Sequence, residues 1–395
     1  MKTIAQKLLS TRSRLALPAL FAISLIAVAA QPVKVPSTPP TAPLVIAKQG
    51  YFFVAGQYTT AKDGQIMTGQ MFVQFQIPQQ RKHRYPIVMW HGGGQTGTNF
   101  LATPDGRPGW ADYFLRAGYA VYVVDQPGRA RSGYFTEAYG PTRRPNAGAM
   151  SERFTAPEIP NVYPQARLHT QWPGKGVAGD PTFDQFFASQ VEDMSNLVAL
   201  EDLNRSAGVA LLDKIGPAIL LTHSQSGPFG WEIADSRPQL VKGVVAFEPN
   251  GPPFYETSVI GPPDWFKDAA VGRAWGITRL PLAYDPPASE PKDLLMTRQA
   301  KSDGPNLVRC WQQDAPARQL VNLKRVPILI VVSEASYHAP YDHCTSKYLT
   351  DAGVKHTFTR LPEAGIHGNG HMMMLEKNNL QIAALLRGWV EKNIR

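Results

Sequence analysis

The run Ala218-Ile219-Leu220-Leu221-Thr222-His223-Ser224-Gln225-Ser226-Gly227 constrains the fold more than any other stretch of the chain. Four apolar residues read as a short buried strand and lead directly into small and polar residues, after which Gly227 to Ser236 reads as a helix. A serine between such a strand and helix has the form of a nucleophile elbow, a sharp turn that leaves the hydroxyl exposed. The turn crowds strand against helix, so it calls for small side chains two residues either side of the serine. Thr222 and Ser226 stand there, with Gly227 just after. Thr222 is β-branched and fits worst, and Ser226 is a rival nucleophile.

The surrounding pattern is that of alternating strands and helices. Tyr51–Val54 and Met71–Ile77 are strands; the second alternates apolar and polar residues as a half-buried antiparallel strand does. Tyr85–Trp90, Tyr119–Val124, Val241–Phe247, Pro327–Val332 and His356–Leu361 are further strands. Between or after them lie helical stretches at Trp110–Ala117, around Val191, Met194, Leu197 and Val198, at Val209–Ile215, at Tyr341–Gly353, and in a final segment carrying Ile382, Leu385, Leu386 and Trp389. This order predicts an α/β fold, a mostly parallel sheet with helices on both faces. Two long excursions, about 134–189 and 250–322, interrupt the rhythm and hold many aromatic residues and prolines. They read as two insertions that build a cap.

Basic residues, then the apolar run Leu15 to Val28, then small residues with Ala-x-Ala spacing make residues 1–30 a secretory signal peptide. The competing reading is a single membrane anchor, for which the apolar run is short. A proline-rich linker over 31–48 leads to a domain over 49–395. The formal charge of +9 falls to +5 without Lys2, Lys7, Arg12 and Arg14, and the residual excess is not clustered. That argues against nucleic acid as a partner. The expected location is periplasmic or secreted, where the two cysteines, Cys310 and Cys344, would form a disulfide.

Ser224 needs a base, and the base needs an orienting acid. His371 follows the last strand, in Gly368-Asn369-Gly370-His371, and is the candidate base. His367, four residues earlier, gives a spacing that resembles a metal pair, but the glycines between them argue against a helix presenting both, so no metal is expected. For the acid, Glu248 sits at the end of one strand, and Glu334 and Asp342 follow the next. Position alone leaves all three open. The glycine run in His91-Gly92-Gly93-Gly94 lets backbone approach a ligand, and the N–H groups of Gly93 and Gln225 are candidates for an oxyanion hole. Arg129 and Arg131 are assigned a structural role, pairing with nearby carboxylates and carbonyls.

Taken together, His91–Gly94, Asp125–Ser132, Thr222–Gly227 and Gly370-His371 resemble the α/β-hydrolase superfamily over roughly Tyr51 to Arg395. Within that superfamily the chain resembles the bacterial esterase 713-like serine esterases. That likeness lies in Asn99–Trp110, notably Thr103-Pro104-Asp105-Gly106-Arg107, in His223–Gly227, in Glu248-Pro249, and in Ile366-His367-Gly368-Asn369-Gly370-His371-Met372-Met373-Met374. The resemblance implies that Glu248 is the acid and His371 the base. Two departures stand out: Gly93-Gly94 replace a neighbouring cysteine pair, and the excursion after Glu248 is longer.

The resulting expectation is an exported serine hydrolase that cleaves carboxylic esters without a cofactor. Its substrate would be a small ester, apolar or aromatic in view of the cap's composition. A lactone or amide hydrolase would use the same three residues. A catalytically silent binding protein of the same fold would instead show a broken set.

Overall fold

The computed structural model describes residues 42–262 and 265–394. The signal peptide and most of the linker lie outside them. Eight strands form one sheet: β1 (Ile46–Val54), β2 (Met71–Pro78), β3 (Ile87–Trp90), β4 (Val121–Asp125), β5 (Ala218–His223), β6 (Val241–Phe247), β7 (Ile328–Val332) and β8 (Thr357–Arg360). Their order is β1-β2-β4-β3-β5-β6-β7-β8. β1 and β2 are antiparallel to their neighbours, and every pairing from β4 to β8 is parallel. β1 begins at Ile46, inside the stretch read as linker, and its edge position accounts for that: its side chains are only partly covered, so the segment lacks a buried strand's apolar run.

The parallel strands inside the sheet, β3 to β7, are buried on both faces, which is why they read as apolar runs, whereas the edge strand β8 is only partly covered. Successive residues still alternate. Val88 and Trp90, Leu220, Val244 and Ile330 pack into one core, while Ile87 and Met89, Leu221, Val245 and Leu329 pack into the other. The helices α1 (Trp110–Arg116), α2 (Leu197–Ile215), α3 (Gly227–Ser236), α4 (Asp342–Asp351) and α5 (Asn379–Asn393) cover these faces.

The two helical stretches expected before β5 are one helix, α2. Val191 lies before it, and Met194 sits in a short bridge pairing Thr142–Arg143 with Asp193–Met194. The middle of the helix carries polar residues that are buried with partners. Asn204 accepts from Trp90 Nε1 at 3.1 Å, and Glu201 accepts from the Arg279 guanidinium at 2.5 Å. Asn196 caps the helix through Ala199 N.

The first insertion holds short helices at Thr136–Tyr139, Ala147–Met150 and Pro181–Ala188. The second holds the hairpin Phe254–Gly261/Trp265–Arg273 and smaller strand pairs. Cys310 and Cys344 are bridged, tying the second insertion to α4. No described helix is long and apolar enough to cross a membrane.

Candidate active site

Gly93, Ser224, Gln225, Glu248 and Glu334 lie just beyond the C-terminal ends of parallel strands, where sites of open α/β sheets form, while Asp342 opens α4 and His371 comes from the longer loop after β8. Ser224 follows β5 with φ of 53°, a left-handed conformation that costs a non-glycine residue on the order of 1–3 kcal/mol. This is the strained turn of an elbow. Its small-residue requirement is met in an unexpected way. A Cβ on Gly230 would sit 3.1 Å from Thr222 Cγ2, and one on Gly227 would sit 2.5 Å from Pro249 Cβ. Glycines on α3 therefore make room for the branched Thr222 and for the loop after β6. The Ser226 hydroxyl bonds Trp90 O at 3.0 Å, His223 O at 2.9 Å and His223 N at 2.8 Å, so it holds the turn.

Glu248 follows β6, also left-handed at φ 49°, and its Oε2 lies 2.5 Å from His371 Nδ1. The same carboxylate accepts from Ser333 N at 2.9 Å, from the Ser333 hydroxyl, and from the Ser336 hydroxyl at 2.6 Å. Burial pushes Glu248 up, but the His371 hydrogen bond and charge, with His338 and Ser333, outweigh it and hold Glu248 below the usual range. Burial also dominates at His371, lowering it to about 4 although Glu248 pulls the other way. The imidazole is therefore neutral at neutral pH, as a base must be.

Aromatic rings box the imidazole. Phe154 stacks on it at 5.0 Å between centroids, His338 at 4.8 Å, and Tyr337 and His223 tilt against it at 4.8 and 4.5 Å. Nε2 is met by the Tyr337 hydroxyl at 3.4 Å, and Tyr337 lines the same cavity as Ser224. His223 Nε2 donates to His371 O at 3.1 Å.

The other two acids serve elsewhere. Glu334 binds His367 Nδ1 at 3.1 Å and Gly368 N at 2.8 Å, and Asp342 binds His338 Nδ1 at 2.9 Å. Burial raises Asp342 well above the carboxylate range. Among the described residues two groups come within ligand distance for a metal, Glu248/His338/His371 and Cys310/His343/Cys344. In the first, both Nδ1 atoms are committed to carboxylates; in the second, both sulfurs are in the disulfide.

Gly93 packs at the elbow: a Cβ there would lie 3.4 Å from Gln225 Nε2. Among the described residues the Gly93 N–H makes no hydrogen bond, whereas Gly92 N bonds Gln95 Oε1 at 3.3 Å. Gln225 lies in the first turn after the strand, where N–H groups lack intrahelical acceptors. Arg129 has the structural role expected of it. It donates to Gly92 O at 3.0 Å and Gln225 Oε1 at 3.1 Å, and pairs with Asp193 at 3.2 Å, so it ties the glycine loop to the elbow. Arg131 pairs with Asp125 at 2.6 Å.

Several participants carried no readable signal. Glu376 accepts from Gly370 N at 2.8 Å, His169 Nε2 at 2.8 Å and Asn369 Nδ2 at 2.6 Å, and so shapes the loop that presents His371. Arg107 explains the Thr103–Arg107 string: its guanidinium donates to the carbonyls of Leu375, Glu376 and Lys377, each at 3.0 Å, behind the same loop. Ser333 and Ser336 were findable, because they follow a buried strand as Glu248 does.

A cavity of about 440 Å³ opens onto Ser224 and Gln225. The apolar or aromatic lining expected from the insertions is not what surrounds it. Among the described residues of the two insertions, Phe154 is the one aromatic that lines it. Tyr139, Phe183, Phe186 and Trp275 are core residues instead. Arg143, Arg144, Arg153 and Arg279 line the cavity with Asp193 and Glu256.

A strained strand-to-helix serine on an eight-stranded sheet of this order defines an α/β-hydrolase fold. The chain belongs to the alpha/beta hydrolase family, whose model matches residues 87–385. It is 45% identical over 344 residues to a probable secreted lipase, phiG, of a fungal species (strain ATCC 74256), covering 87% of this chain and 89% of that one. Among solved structures it is similar to a novel bacterial esterase, with 26% identity, a TM-score of 0.64, and coverage of 91% of this chain and 99% of that one.

Proposed function

We propose that the protein is an exported serine hydrolase of carboxylic esters. The observation that carries the reading is the strained Ser224 in a cavity lined by Tyr337, whose hydroxyl reaches His371 of a buried His371–Glu248 pair joined at 2.5 Å. Ser224 Oγ attacks the ester carbonyl while His371 Nε2 takes its proton. The imidazolium so formed keeps its Nδ1–H on Glu248, whose charge stabilises it. The N–H groups of Gly93 and Gln225 receive the oxyanion, each worth about 10²–10³ in rate. His371 returns the proton to the departing alcohol, and water releases the acid by the same steps in reverse order. The names of a secreted lipase and an esterase among its relatives support the ester class, and the first of these with the Cys310–Cys344 bridge supports export.

The test uses purified mature protein with a short-chain ester and an alkyl phosphonate. Ser224→Ala and His371→Ala should each lose roughly 10³-fold or more in kcat, and peptide mapping should place the phosphonate on Ser224. Full activity in Ser224→Ala would overturn the assignment. N-terminal sequencing of exported protein should begin just after Ala29 or Ala30.

A further inference from the structure

The cavity at Ser224 has more positive charge than its own carboxylates can neutralise. Asp193 is shared between two guanidiniums, buried Arg129 at 3.2 Å and Arg143 at 2.9 Å. Glu256 takes Arg273 at 2.8 Å and Arg279 at 3.3 Å, and Arg279 is completed by Glu201 at 2.5 Å. Arg144 is paired with Glu192 at 2.6 Å. Arg153 has no carboxylate or carbonyl partner among the described residues. Its guanidinium carbon lies 5.8 Å from the Tyr337 ring centroid. The Asp193 group carries one cation in excess and the exposed Arg153 another; the ionised Glu248 behind the neutral His371 offsets one of them, which leaves the concave site net positive and attractive to an anion.

The position of Arg153 gives that charge a purpose. Its neighbour Phe154 stacks on His371, and Tyr337, beneath the guanidinium, reaches His371 Nε2 through its hydroxyl. Met150, Pro145 and Leu197 supply an apolar wall in the same cavity. A substrate bound here meets the reacting groups, an aliphatic surface and the exposed guanidinium of Arg153 along one open cleft. A guanidinium presents a planar fork of donors that matches a carboxylate bidentately.

Resting on the esterase reading above, we propose that the substrate carries a carboxylate besides its ester, as in the half-ester of a dicarboxylic acid, and that Arg153 binds that carboxylate. Arg153 is then the specificity determinant, and the shared Asp193 pair adds attraction without contact.

The test compares monoethyl adipate with ethyl hexanoate, matched in length and differing in the terminal charge, by pH-stat. The wild type should favour the monoanion by about tenfold or more in kcat/KM, carried by KM, and the preference should shrink with added salt. Arg153→Gln should lose about tenfold on monoethyl adipate and stay within about twofold on ethyl hexanoate; Arg153→Glu should invert the preference. Equal kcat/KM for both esters in the wild type, or an equal loss on both in Arg153→Gln, would overturn the proposal. Calorimetry of adipate with Ser224→Ala protein reads the anion site without turnover. Saturable binding abolished by adding Arg153→Gln supports the site even if ester cleavage fails, and absence of binding counts against it.

Discussion

Replacing Glu376 by glutamine tests how the His371 loop is held. The carboxylate is fully buried and receives three donors: Gly370 N and His169 Nε2 on one oxygen, Asn369 Nδ2 on the other. A glutamine amide offers one oxygen and one NH₂. Its better orientation keeps the oxygen toward Gly370 and His169 and turns the NH₂ against Asn369, which retains only Asn378 Oδ1 at 2.6 Å. One charge-assisted bond, about 1.5–3 kcal/mol, is lost, and a partly unpaired buried donor adds about 1 kcal/mol or more. The expected destabilisation is about 3–4 kcal/mol. Burial opposes charge on His169, but Glu158 and Glu376 outweigh it and lift His169 to about 9. A folded pKa above the unfolded 6.5 gives stability that is complete below pH 6.5 and lost as pH rises through about 9. The stability gap between wild type and Glu376→Gln should therefore narrow toward pH 9.5. Because Gly370 immediately precedes His371, a shift of about 1 Å should cost about 10²-fold in kcat. Urea unfolding at both pH values and initial rates on a short ester measure these effects. A variant within about 0.5 kcal/mol of wild type with unchanged kcat would refute the reasoning.

The remaining predictions use other parts of the molecule. His91, His338, His343 and His371 are each lowered to about 4, chiefly by burial, so the unfolded chain binds more protons between pH 6.5 and 4. Stability should fall as pH drops through that window, and a flat profile of urea midpoints would contradict it. The acid limb of kcat/KM should lie near pH 4, not 6.5. Gly227→Ala places a Cβ 2.5 Å from Pro249 Cβ and 2.7 Å from its Cα, so it should cost about 1–3 kcal/mol and disturb Glu248; thermal unfolding and kcat read both. Removing the Cys310–Cys344 bridge, which spans 34 residues, by a double alanine substitution should cost about 3–4 kcal/mol, measured by denaturant midpoint.

How far the sequence could be read depended on the range of the interactions. Buried parallel strands declare themselves because both faces are covered, so Tyr85–Trp90, Val241–Phe247 and Pro327–Val332 were legible as apolar runs. The elbow was legible because its turn is a local steric problem. The continuity of α2 is not legible locally: Glu201 and Asn204 lie in its buried middle, and their partners, Arg279 and Trp90, are 78 and 114 residues away.

The order of serine, three carboxylates and a terminal histidine is a property of the sequence alone, as is the strand pattern that carries them. Which carboxylate meets His371 was decided by the tertiary structure. Glu248, Glu334 and Asp342 all follow adjacent strands, and only packing gives one to His371, one to the His367 loop and one to His338. The cavity's character was likewise invisible in composition. Tyr139, Tyr163, Trp172, Phe183, Phe186 and Trp275 of the insertions pack into the protein interior, where burial of their area stabilises those segments, and Arg143, Arg144, Arg153 and Arg279 line the cleft that opens onto the serine.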